Sequence, residues 1–150
     1  MTIAQSLPLC DLYQRDETAW LEAMSELIRL GRLEELDYPN LVEYLAEMTR
    51  RDRREVESRL IVLICHALKW VHQPEHRSGS WKGMIIAQRQ ELESLVSQGV
   101  LRNHAEAVLA DAYNRAVERA AAETGLTSAA FPARCPYTLD QLLSADLISG

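Results

Sequence analysis

His72-Gln73-Pro74-Glu75-His76 matches, letter for letter, the H-x-x-E-H string of inverted zinc peptidases. That chemistry needs both histidines one turn apart on a continuous helix, with the glutamate on the same face. Pro74 works against this, because it removes a helical N–H and clashes with the preceding turn. A zinc hydrolase at His72, Glu75 and His76 is therefore a remote alternative. A di-iron bundle would need Glu-x-x-His on two helices. The residues three before His66, His72, His76 and His104 are Leu63, Lys69, Gln73 and Leu101, so that class is excluded in its usual form.

Nucleophilic chemistry fares no better. Cys65 and His66 are adjacent, so on a helix they point about 100° apart and cannot act as nucleophile and base for each other. Cys65 reads as a buried, inert thiol. The six glycines form no G-x-S-x-G, G-x-x-x-x-G-K or G-x-G-x-x-G string. No cofactor and no metal are expected.

What remains is a polar and aromatic constellation in the middle of the chain. His66 and Trp70 lie at i, i+4 with Lys69 and Gln73 close by, followed by Arg77, Trp81, Lys82 and Arg89. Arginine or lysine beside indole suits phosphate contacts and base stacking. His66, Lys69, Trp70, Gln73, Arg77, Trp81, Lys82 and Arg89 are thus candidate ligand-binding residues for an anion, a nucleotide or a nucleic acid. The bland counterpart is a core histidine, Trp70 packed on Trp81, and basic side chains paired with neighbouring acids.

The charge distribution sharpens this. The net charge is −6, which argues against a generic nucleic-acid binder. Residues 1–49 carry three basic and ten acidic side chains, residues 50–89 nine and four, and residues 90–150 four and eight. A basic middle sits between acidic ends.

The elements that must position these residues read as helices. Asp16 caps a segment in which Trp20, Met24, Leu27 and Ile28 share a face, and Gly31 ends it. From Pro39, apolar residues keep a 3.6-residue period through Leu41, Leu45, Met48, Val56, Leu60, Leu63 and Ala67 to Trp70. The polar run at Arg50–Arg54 leaves two options, one helix of some thirty residues or two joined near residue 52. The stretch from 60 to 71 is apolar around most of its circumference, as a central helix would be. Gln73-Pro74 stops it. Ser80 is expected to cap a third segment lined by Trp81, Met84, Ile85, Leu92 and Leu95. A fourth runs from about Asn103 to Thr124, with Gly125 behind it. Thr138 and Gln141 have the form of a capping box on a short final helix.

With 150 residues, 47 % hydrophobic and 25 % charged, the chain has the make-up of one soluble globular domain. The expected fold is all-α: a single-domain bundle (1–150) of four to five main helices, with a C-terminal loop and short helix. Three cysteines without C-x-x-C spacing give no disulfide framework. No apolar run nears the roughly 20 residues of a membrane span, and no secretory signal is visible. A cytoplasmic location is expected.

Taken in order, the residues resemble a known family. Tyr13, Asp16 and Trp20, then Leu36-Asp37, Asn40-Leu41 and Glu43, resemble the opening of the bacterial family called domain of unknown function 29. His66-Ala67-Leu68-Lys69-Trp70, Gln73-Pro74, Ser80-Trp81 and Gln88-Arg89 are similar to its middle. Tyr113, Glu123-Thr124-Gly125-Leu126, Phe131-Pro132 and Cys135-Pro136-Tyr137 are similar to its end. The resemblance spans about residues 11–147 and implies a helical protein, with no activity to carry over. The family pattern does not call for histidines at 72 and 76, and Tyr44 stands where it often has a second acid.

The functional reading is a non-enzymatic helical module that binds a protein partner or itself as a homo-oligomer, away from membranes. An anion, nucleotide or nucleic-acid binder using 66–89 is the alternative.

Overall fold

A computed structural model describes residues 7–149, and every regular element among them is helical. The α-helices are α1 (Leu9–Arg15), α2 (Glu17–Arg29), α3 (Tyr38–His72), α4 (Gly79–Val96), α5 (Val100–Thr124) and α6 (Leu139–Leu143). The all-α expectation is met. Short 3₁₀ turns punctuate the connections.

The local signals explain most boundaries. The Asp16 carboxylate accepts the Ala19 N–H at 3.0 Å and starts α2. Gly31 follows α2 with φ +73°, and Gly125 follows α5 with φ +77°, the left-handed conformation that glycine adopts without a Cβ clash. Thr138 and Gln141 form the expected capping box, with bonds of 2.9 and 3.1 Å. One cap differs. Ser78, not Ser80, accepts the Trp81 N–H at 3.2 Å, so α4 begins two residues earlier than expected.

Residues 40–72 lie in one helix, not two. α3 runs unbroken for 35 residues. Its polar centre is held by helical ion pairs, Arg50–Glu47 at 2.8 Å and Arg59–Glu55 at 2.9 Å. Such pairs contribute only about 0.2–0.5 kcal/mol each, and they favour the helical conformation there. α1 has no counterpart in the sequence reading. It is seven residues long with Leu12 alone buried, too short to show a period.

By its internal contacts the chain divides at residue 50 into two units, Met1–Arg50 and Arg51–Gly150, with α3 contributing to both. The first unit has a small aromatic centre. Trp20 and Met24 from α2 and Leu12 from α1 are buried, with Tyr13, Leu36, Leu41 and Tyr44 packed around them. The second has the larger core. Val56, Leu60, Leu63, Ile64 and Leu68 of α3 pack in one cluster with Ile85, Leu92 and Val96 of α4 and with Leu139 and Leu142 of α6. On α5 the buried residues Ala105, Ala112, Ala116 and Ala120 are small, which lets neighbouring side chains approach its backbone closely. No described helix is long and apolar enough to cross a membrane.

Candidate functional site

Lys69 is the centre of the constellation that the sequence singled out. It stands one turn before the end of α3, on the apolar side of that helix, and is only 8 % exposed. A buried ammonium demands a partner. Glu123, in the last turn of α5, provides it: Lys69 Nζ donates to Glu123 Oε2 at 3.0 Å. The same ammonium lies 4.9 Å from the centre of the Trp81 ring, a cation–π contact. Cys65, one turn earlier on α3, donates its S–H to the same Glu123 oxygen at 3.3 Å.

The electrostatics follow from these contacts. Burial pushes the Cys65 thiol up to about 12, and the Glu123 carboxylate adds to the push. The thiol stays protonated and unreactive near neutral pH, as the sequence implied. Burial alone would raise Glu123. Hydrogen bonds from Lys69 and Cys65, with the charges of Lys69 and His66, outweigh it and hold the carboxyl below its ordinary range.

Trp70 and Arg77 form a second pair. The Arg77 guanidinium lies 4.7 Å over the Trp70 ring, and its Nε donates to the Trp70 carbonyl oxygen at 2.8 Å. Arg77 thereby caps the C-terminal end of α3, where free carbonyls and the helix dipole favour a cation. Trp70 Nε1–H is buried without a hydrogen-bond partner. The two indoles therefore each meet a cation rather than each other.

The remaining predicted residues take separate places. His66 Nδ1–H donates to the Val62 carbonyl one turn back at 2.9 Å. The carbonyl can only accept, so Nδ1 carries a proton in this contact. Gln73 closes α3, its N–H bonded to the Lys69 carbonyl at 2.9 Å. Lys82 is exposed in the first turn of α4, and Arg89 is half-buried two turns on. The structure brings Lys69 to Trp81 and Arg77 to Trp70; Lys69 is buried, while Arg77 stays exposed at the surface.

His72 and His76 do not share a helix. His72 is the last residue of α3, its ring edge-on to Phe131 at 5.0 Å, and Pro74 begins a 3₁₀ turn. His76 lies 3.4 Å from Glu75, its own neighbour. Among the described residues no three His, Cys, Asp or Glu side chains come together as a metal would need. Two shallow hollows of the second unit lie elsewhere. One, of about 360 Å³, is lined by Pro136, Tyr137, Gln141, Ser144, Asp146 and Leu147. Gln141 and Ser144 are already committed as helix caps. The other, about 420 Å³, lies beside Tyr113, whose hydroxyl is bonded to the Pro132 carbonyl.

The sequence reading missed Glu123 as the partner of Lys69, and His104, whose Nε2 lies 3.2 Å from Glu57. Fifty-four and forty-seven residues separate these pairs, and no local pattern encodes them. The other string singled out by resemblance also has a structural role. Asp37 Oδ2 accepts the Trp20 indole N–H at 3.0 Å and an Asn40 amide N–H at 2.8 Å. Tyr13 and Tyr44 pack on the Trp20 ring, with centroids 4.7 and 5.8 Å away.

These features define an all-helical protein in which Lys69, Asp37 and Trp20 take part in buried or half-buried structural contacts. The chain belongs to the family described as Domain of unknown function DUF29, whose model matches residues 12–148. No curated protein and no solved structure matches it.

Proposed function

We propose that this protein is a non-enzymatic protein-interaction module, and that its first unit carries the contact surface. One observation supports the reading above the others. On the first turns of α3, Tyr38, Val42 and Leu45 fall at i, i+4 and i+7, and they are 51 %, 67 % and 57 % exposed. Three large apolar side chains in register on one helix face form an amphipathic stripe of the kind that partner helices cover. Leu33, also half exposed, adjoins it, because the Tyr38 hydroxyl donates to the Leu33 carbonyl oxygen at 2.6 Å.

The anion-binder reading draws less support. Its two best-placed cations, Lys69 and Arg77, already have internal partners, which leaves Lys82 and Arg89 to carry it.

A photo-crosslinking residue placed at position 42 in living cells tests the module directly, with exposed Asn103 as the control position. Discrete adducts from position 42 and none from 103 are expected. An empty position 42, with the protein monomeric by light scattering, would refute the reading.

A further inference from the structure

We infer that the partner of the Tyr38–Leu45 stripe is a basic amphipathic helix of another protein, an inference that rests on the interaction-module reading above. Three observations lead there.

The first is the geometry of the surface. Tyr38, Val42 and Leu45 repeat the i, i+4, i+7 spacing of Val56, Leu60 and Leu63 further along α3. In the second unit that trio is wholly buried within a core built from helices. A helix face with this spacing is complementary to another helix lying along it, whose own apolar residues recur every three to four positions.

The second is where the charge lies. Residues 1–50 hold four basic and ten acidic side chains, and residues 51–150 hold twelve of each. The whole net charge of −6 therefore belongs to the unit that carries the stripe. Such a unit attracts a cationic partner and raises its association rate, an effect that weakens with salt.

The third disfavours a second copy. Symmetric pairing through the stripe would bring two units of net charge −6 together. That like-charge contact opposes an isologous dimer.

The test uses two synthetic peptides with leucines in helical spacing, one with lysine and one with glutamate at the remaining positions. Each is labelled and titrated with the full chain by fluorescence anisotropy. Four chains are compared: wild type, Val42→Ser/Leu45→Ser, Met84→Ser in the second unit, and Trp20→Phe as a packing control. Circular dichroism confirms that each is folded.

Saturable one-to-one binding of the lysine peptide is expected. It should weaken at least tenfold with Val42→Ser/Leu45→Ser, stay unchanged with Met84→Ser, and fall as salt rises. The glutamate peptide should bind at least tenfold more weakly. Equal binding of the two peptides, or binding indifferent to the stripe substitutions, would overturn the proposal. If neither peptide binds and sedimentation shows a dimer that Val42→Ser/Leu45→Ser dissociates, the occupant is a second copy: the proposal falls and the module reading stands. If neither peptide binds and the stripe substitutions alter no association, both fall.

Discussion

The two units bury polar chemistry in opposite ways. In the first, a neutral donor is buried and the acid that receives it stays near water: the Trp20 indole is 0 % exposed, and half-buried Asp37 accepts its N–H. In the second, the cation is buried, and the acid that neutralises it, Glu123, keeps nearly half of its side chain exposed. The first arrangement needs one hydrogen bond to satisfy the buried group. The second needs an ion pair, an aromatic face and a thiol gathered from three helices.

They differ also in how much core stands behind these contacts. Among the described residues, three of the first unit are buried in its core, against seventeen in the main core of the second. Of the nine large apolar side chains left exposed among the described residues, six belong to the first unit, although it is the shorter. A small core beside a bare apolar face is the pattern expected of the binding unit proposed above. The second unit covers its apolar faces with its own helices and buries one cation, Lys69, among them.

Removing the centre of the first unit should give the largest effect. Trp20→Ala deletes its largest buried side chain, a change that costs about 3–5 kcal/mol in a core. So few other buried residues remain that α1 and α2 should lose their packing. Hydrogen exchange should show their amides unprotected while α5 keeps its protection. Equal loss in α5 would mean that the two regions unfold as one and would break the comparison.

An intermediate effect is expected at the buried pair, and it should be asymmetric. Glu123→Ala leaves a buried ammonium without its acid, at a cost of about 1–3 kcal/mol. Lys69→Met leaves a carboxylate that can reach water, so it should cost clearly less. Urea denaturation distinguishes the two, and equal costs would deny that Lys69 is the dependent partner. The pH dependence carries the same information. The folded Glu123 carboxyl is held below its ordinary range, so its contribution is full above that range and is lost as pH falls through the depressed value. Wild type and Glu123→Ala should therefore converge in stability in acid, below the ordinary carboxylate range.

The smallest effect on stability, though a clear one on reactivity, concerns the cysteines. Cys10 is exposed and Cys65 is buried. At pH 8 a maleimide should label Cys10 quickly and Cys65 on the order of 100-fold more slowly, since access waits for opening of the core. Burial raises the Cys65 thiol to about 12, so folding disfavours the thiolate. Stability should accordingly decline from the ordinary thiol range upward. Rapid labelling of Cys65 in the native protein would deny that the second unit is the firmer of the two.

Much of the helical plan was open to a reader of the sequence. Asp16, Gly31, Pro74, Gly125 and the Thr138–Gln141 pair mark ends because each acts on backbone within a few residues of itself. The error at Ser78 and Ser80 arises from two serines of equal capping ability two positions apart, which only the neighbouring packing separates. The continuity of α3 was undecidable from its polar centre, because charged residues at 50–54 suit a solvated helix and a turn equally well. The site was less legible. A basic and aromatic cluster at 66–89 was visible as composition, yet two of its cations, Lys69 and Arg77, contact groups of the protein itself.

The sequence by itself determined the all-α class, most helix ends, the inert Cys65 and the acidic character of the first fifty residues. These depend on residue type, on hydrophobic period and on bonds spanning a turn or less. Only the tertiary structure decided that Lys69 meets Glu123, that Asp37 takes the Trp20 indole N–H, and that Leu45 faces solvent while Leu60 and Leu63 are buried. The same period runs through Leu45, Leu60 and Leu63, so periodicity names the face that is apolar. It cannot say along which part of that face another element of the chain is present to cover it.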